Sequence, residues 1–159
     1  RVSLMKKYAV QHEPVLWLEK PGGERVFNAA EGAEHYSDED RAVALAKGKR
    51  RVSDSSLDRG RPPRSFLDFP RENSRSKERE FGSHPSMKPL ALCEHLVKLH
   101  SNRGDVVLVP FAGSGSEMVA CAQLGRKVVG ADVCKEYCEI VVRRMGAKGL
   151  ALRTAGPAD

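Results

Sequence analysis

No apolar run in this 159-residue chain approaches the length that spans a bilayer, and no signal-peptide pattern opens it. A membrane partner is therefore not expected. Cysteine is scarce. The four residues, Cys93, Cys121, Cys134 and Cys138, include no Cys-x-x-Cys pair, and no histidine is placed to complete a site. That spacing argues against zinc, and no metal site is expected. The cysteines sit inside apolar helical patterns, which reads as buried reduced thiols in a reducing cytoplasm. Apolar residues, at 40%, are slightly few for a fully packed globule, and charged residues, at 30%, slightly many. Part of the chain is therefore expected to lie outside the core, although the length suits one domain. The net charge of +6 tilts the expectation toward a polyanionic partner. The chain opens on Arg1 rather than Met, so a longer parent sequence is expected.

Three regions differ in texture. In residues 1–30, Pro14-Val15-Leu16-Trp17-Leu18 has the length of a strand and ends at Pro21-Gly22-Gly23, with a second short strand expected over residues 24–28. Residues 31–83 carry little apolar material. There Ser37-Asp38-Glu39-Asp40 reads as a helix start, the acidic residues complementing the helix dipole, with a stop expected at Gly48. Lys49, Arg50, Arg51, Arg59, Arg61 and Arg64 then stand against only Asp54 and Asp58. Arg61-Pro62-Pro63-Arg64 must be extended, because each proline disfavours helix at the residue before it. Phe66 and Phe69 flank Leu67 and read as packing a short strand rather than stacking bases. Arg71 to Glu80 has no periodicity and reads as a mobile loop.

Residues 84–147 are a different material. Leu90, Cys93, Leu96, Val97 and Leu99 mark one face of a helix behind Pro89. A buried-type strand is predicted over 105–109, a helix over 117–124 ending at Gly125, and a strand over 127–131. A last helix is predicted over 135–145, and the tail 148–159 is expected to be flexible. Helix, strand, helix, strand, helix implies a parallel pair in an α/β sheet.

Two motifs carry chemistry. The run Val109-Pro110-Phe111-Ala112-Gly113-Ser114-Gly115-Ser116 takes a strand through a tight glycine turn into a helix, and the next strand ends on Asp132. This is the layout of a nucleotide-type cradle, in which the acid accepts hydrogen bonds from ribose hydroxyls. The dinucleotide fingerprint wants a glycine where Met118 stands, and a phosphate loop wants Gly-Lys-Ser/Thr where Ser116-Glu117 follows Gly115. Glu117 would oppose a pyrophosphate at the helix start. A nucleoside without phosphates fits better, and S-adenosylmethionine is one. The second motif, His84-Pro85-Ser86-Met87-Lys88-Pro89, puts a hydroxyl and a lysine at a helix N-terminus, a combination suited to a carboxylate. By itself it could also be an ordinary helix cap.

Together these motifs resemble those of the amino-methylating DNA methyltransferases, which modify adenine N6 or cytosine N4. The subgroup resembled places a His-Pro-Thr/Ser-x-Lys-Pro motif before an Asp-Pro-Phe-x-Gly-Ser-Gly motif, matched here at 84–89 and 109–115. Gly125 to Asp132, Glu136-Tyr137 and Arg143-Arg144 fit the following motif, and Gln11 to Trp17 is similar to an upstream segment. The resemblance implies an α/β, partial S-adenosylmethionine-dependent methyltransferase (Rossmann-like) fold with an irregular basic insertion. It implies that Ser86 and Lys88, with His84 beside them, hold the methionyl carboxylate. Phe111, Ala112, Gly113, Ser114, Gly115 and Ser116 would wrap the methionine and ribose, and Asp132 would take the ribose hydroxyls. Residues 1–30 would be late sheet strands, 31–83 a target-recognition segment, and 84–147 the cofactor lobe. The partner implied is double-stranded DNA, with Lys49, Arg50, Arg51, Arg59, Arg61 and Arg64 as phosphate contacts.

The chain departs from this pattern twice. Val109 replaces an acid that meets the cofactor's ammonium group in the family. The Asp/Asn/Ser-Pro-Pro-aromatic motif that receives the flipped base is also absent, so no catalytic residue is assigned in this chain. In the family sheet, upstream strands separate the strand at 15–18 from that at 106–109. The expectation is the C-terminal part of a larger methyltransferase, completed by its N-terminal part or by a complementing chain. The alternatives are an inactive DNA-binding remnant and, more remotely, a dinucleotide-dependent oxidoreductase.

Overall fold

The computed structural model describes residues 13–33, 37–46, 60–72, 76–82 and 84–154. Helix α1 (Asp38–Ala46) starts as its sequence suggests: Ser37 Oγ accepts from the Asp40 N–H at 3.1 Å. The expected stop at Gly48 lies outside the described residues. Helix α2 (Leu90–His100) follows Pro89 and buries Cys93 and Leu99. Its carbonyl end is closed from far upstream, since Asn28 Nδ2 donates to the carbonyls of Lys98 (3.1 Å) and Ser101 (2.9 Å). These are groups that a helix end leaves without internal partners.

Strands β1 (Val106–Val109) and β2 (Lys127–Gly130) pair in parallel, with Val106 opposite Lys127 and Val109 opposite Gly130. Helix α3 (Ser116–Gln123) joins them and packs on α2, and α4 (Lys135–Ala147) follows β2. The core gathers Val109, Ala112, Met118, Val119, Val141 and Met145 between strands and helices. Full burial of its valine and methionine side chains contributes about 1.5–3 kcal/mol each. Leu150 and Leu152 pack against the same cluster, which places the chain beyond α4 on the fold at those residues. This is an α/β unit of Rossmann-like type, and it positions the glycine turn between β1 and α3.

The structure differs from the sequence pattern in five places. Strand β1 is not buried on both faces: Val106 and Leu108 are 65% and 68% exposed, because the described helices cover one face of the two-stranded sheet. Residues 13–20 form no strand. Val15, Leu16 and Leu18 are exposed, having no strand beside them, and the segment is anchored by Trp17 against Phe27, His100 and the Arg25 guanidinium. Residues 24–28 and 66–69 also form no strands; Phe66 is exposed, whereas Phe69 lies against His95. Within 71–80 a 3-10 turn, Lys77–Arg79, is capped by Ser76 and docks through Glu78 on α4. Finally, Cys93 and Cys121 are buried but Cys134 is half-buried and Cys138 exposed, since α4 turns Ile140, Val141, Arg144 and Met145 inward instead. Burial pushes the Cys93 thiol up to about 12 and that of Cys121 to about 11, which keeps both protonated.

No described helix is long and apolar enough to cross a membrane. Among the described residues, no group of three or more His, Cys, Asp or Glu could hold a metal ion.

Candidate functional site

The turn after β1 depends on backbone that only glycine adopts readily. Gly113 and Gly115 have φ of +52° and +77°. A Cβ on Gly115 would stand 2.6 Å from Val141 Cγ2, and one on Gly113 would stand 3.1 Å from His84 Nε2. The turn is therefore wedged between α4 and the first motif.

Asp132 ties this arrangement together. Its Oδ2 accepts from the Gly113 N–H at 2.7 Å, and its Oδ1 accepts from the Cys134 N–H at 2.9 Å. The carboxylate thus links the glycine turn to the start of α4. These donors, Cys134 first and Gly113 next, hold the Asp132 carboxyl below the usual carboxylate range. A carboxylate offers about four acceptor positions, so two remain on this half-buried group for an incoming ligand.

The first motif lies against the turn. His84 Nδ1 accepts from the Ser86 N–H at 3.2 Å, and the ring meets Tyr137 edge-on at 4.4 Å. Ser86 is exposed. Lys88 pairs with Glu13 at 2.5 Å, a contact that lowers the Glu13 pKa. Ser116 is only 1% exposed, and its hydroxyl donates to the Lys88 carbonyl at 2.9 Å, so the two motifs are bonded to each other. Ser114 and Ala112 are buried as well, whereas Phe111 stands 86% exposed at the rim. Val109, where the resembled family carries an acid, is part of the core.

The structure brings His84, Ser86, Lys88, the residues 111–116 and Asp132 to one region at the carboxyl ends of the strands. The basic residues are placed elsewhere or not described. Lys49, Arg50, Arg51 and Arg59 lie outside the described residues. Arg61 pairs with Asp40 at 3.4 Å, and Arg64 lines a separate pocket of about 540 Å³ with Phe66 and Phe69.

Two buried arginines were not legible as site residues. Arg126, 6% exposed, donates to Ser101 and to the Leu124 carbonyl, stapling the end of α2 to the entry of β2. Arg144, fully buried, donates to the Ser114 carbonyl and to Ser116 Oγ and pairs with Glu78. An arginine in a charged helix ordinarily faces solvent, and only the cluster Arg143-Arg144 in the third motif singled it out.

The family model for DNA methylases matches residues 2–143. The type II methyltransferase M.HpaI of Haemophilus parainfluenzae is 32% identical over 92% of this chain and 42% of its own length. The DNA adenine methyltransferase YhdJ of Escherichia coli (strain K12) is 32% identical over 91% of this chain and 48% of its own length. The chain thus spans less than half the length of either relative. Among solved structures, the M1.HpyAVI–SAM complex is 42% identical over 41% of this chain and 32% of its own, with a TM-score of 0.39. With a family match over most of its length, carried through both motifs, this chain belongs to the DNA methylase family.

Proposed function

We propose that this chain is the cofactor-binding C-terminal part of an S-adenosylmethionine-dependent DNA methyltransferase that acts on the exocyclic amino group of adenine or cytosine. The observation that carries the proposal is the Asp132 bridge. One carboxylate spans the glycine turn and the start of α4 and keeps acceptor capacity for two ribose hydroxyls.

The residues present fit such a cofactor. Asp132 takes the ribose, and Gly113 and Gly115 let the turn fold tightly between His84 and Val141, so that its backbone faces the methionyl chain. Ser86 and Lys88 meet its carboxylate at the start of α2, with His84 closing the side of the turn. Phe111 offers an apolar wall at the rim. Ser114 and Ser116 contribute through the backbone they hold, since both side chains are buried. The cofactor supplies a methyl group on a sulfonium. The residues of this chain bind and orient it, and none need act as a general base. Positioning of the base is left to the motif that this chain lacks, so rate enhancement rests on proximity and fixed dipoles.

Duplex DNA is the partner this reading requires. Lys49, Arg50, Arg51, Arg59, Arg61 and Arg64 would contact phosphates, in a cytoplasmic protein completed by an upstream part or a complementing chain.

The test has two stages. Titration calorimetry of the full chain with S-adenosylmethionine and with NAD is expected to show binding of the former alone; binding of NAD alone overturns the cofactor assignment. Methyl transfer to duplex DNA is then measured with an upstream catalytic half restored. A restored protein that binds both DNA and cofactor yet transfers no methyl group makes this an inactive remnant, the reading that buried Val109 favours.

A further inference from the structure

The groups that hold the glycine turn from beneath do not belong to either motif that marks the cofactor site. Arg144 has no solvent exposure, and a buried guanidinium is costly unless it is paired and hydrogen-bonded. Its Nη2 meets Glu78 Oε2, whose other oxygen accepts from Lys148 Nζ at 3.0 Å. Burial works against the Glu78 carboxylate, but the hydrogen bonds from Arg144 and Lys148 outweigh it and hold its pKa below the ordinary value.

What the pair grips is specific. Arg144 Nη1 donates to the Ser114 carbonyl at 2.5 Å and to Ser116 Oγ at 3.2 Å, the residues on either side of Gly115. The N–H of the same Ser114–Gly115 peptide donates to the Ala112 carbonyl at 2.7 Å. That peptide plane is therefore pinned at both ends, one end by Arg144. The chain carrying Glu78 also lies tight on α4: Gly82 sits where a Cβ would be 2.6 Å from Ile140 Cδ1. Two residues later it brings His84 against Gly113 of the turn.

We infer that Glu78 and Arg144 are positioning residues for the cofactor site, an ion pair on the inner side of the glycine turn that sets the orientation of the Ser114–Gly115 peptide. The inference rests on the cofactor reading above. Asp132 holds the turn from the strand side at Gly113 and Arg144 from the helix side at Ser114 and Ser116, so neither replaces the other.

The decisive variant is Glu78→Gln in the full chain. It keeps an acceptor for Arg144 and removes the charge. Two quantities are measured: affinity for S-adenosylmethionine, and hydrogen exchange of the amides of residues 113–116 without ligand, with the amides of residues 94–99 in α2 as reference. Cofactor affinity is expected to fall on the order of tenfold, and exchange at the turn to quicken while α2 keeps its protection. Lys148→Met, which leaves the Arg144–Glu78 contact in place, is expected to change both by less than about twofold. Unchanged affinity and unchanged turn exchange in Glu78→Gln overturn the inference. Should Glu78→Gln unfold, Arg144→Lys replaces it, because an ammonium cannot span Glu78 and the Ser114 carbonyl as the guanidinium fork does. Equal loss of protection in the turn and in α2 reduces the pair to a general structural role and also overturns the inference. If the unaltered chain binds no S-adenosylmethionine, the cofactor reading fails by itself, and the exchange contrast still decides whether the pair holds the turn.

Discussion

Replacing Asp132 with asparagine tests how the glycine turn is held and what it is held for. In the native arrangement each oxygen accepts one backbone N–H, from Gly113 at 2.7 Å and from Cys134 at 2.9 Å. An amide is nearly the same shape but keeps one acceptor oxygen, so its NH2 group is turned toward one of the two donors. One hydrogen bond is lost and the other loses its charge assistance. Hydrogen bonds to charged groups contribute about 1.5–3 kcal/mol each. Because Asp132 is only half-buried, water can reach the released donor and offset part of the loss. The expected cost is therefore about 1.5–3 kcal/mol rather than twice that. Urea unfolding reads this cost in stability, and titration calorimetry reads a loss of S-adenosylmethionine affinity of roughly 10- to 150-fold. Unchanged stability would mean that the carboxylate bridge contributes nothing to the turn. Unchanged affinity would mean that the ribose sits elsewhere. The pH dependence carries the same sign: a carboxyl whose pKa is depressed in the folded state stabilises fully above the unfolded aspartate value of about 3.9. That contribution is lost as pH falls through the depressed value, so the asparagine variant should lack this part of the acid transition.

Gly115→Ala combines left-handed backbone strain of about 1–2 kcal/mol with a Cβ 2.6 Å from buried Val141, so a total destabilisation of about 2–4 kcal/mol is expected in urea unfolding. A loss below about 1 kcal/mol would show that the turn relaxes away from α4. Glu13→Gln releases Lys88 from its exposed partner and is expected to tighten S-adenosylmethionine binding roughly two- to fivefold by calorimetry. No change, or weaker binding, would remove Lys88 from the carboxylate role.

Family and site region were legible because both rest on local chemistry. A glycine pair between a β-branched strand and a helix has few alternatives, since only glycine reaches φ of +52° and +77° without strain. The acid at the end of the next strand needs only the parallel pairing of β1 and β2 to reach it. Val15 to Leu18 shows the opposite case. Their apolar run suits a strand, but a strand exists only beside another, and residues 13–20 have none beside them. The face of β1 likewise depends on what covers it, which is why Leu108 is exposed while Val109 is in the core.

By itself the sequence determined the order of helices and strands from 90 to 147, the glycine turn, the acid that ends the next strand, and the family to which they belong. Periodicity and glycine conformation act within a few residues and leave their mark on composition. Only the tertiary structure decided which charges were to be buried. Asn28 closes a helix 70 residues away, and Glu78 reaches 66 residues along the chain to Arg144, which pins the turn. Such contacts are made by polar side chains whose local pattern reads as solvated surface. Their role follows from which backbone groups the folded chain leaves without partners.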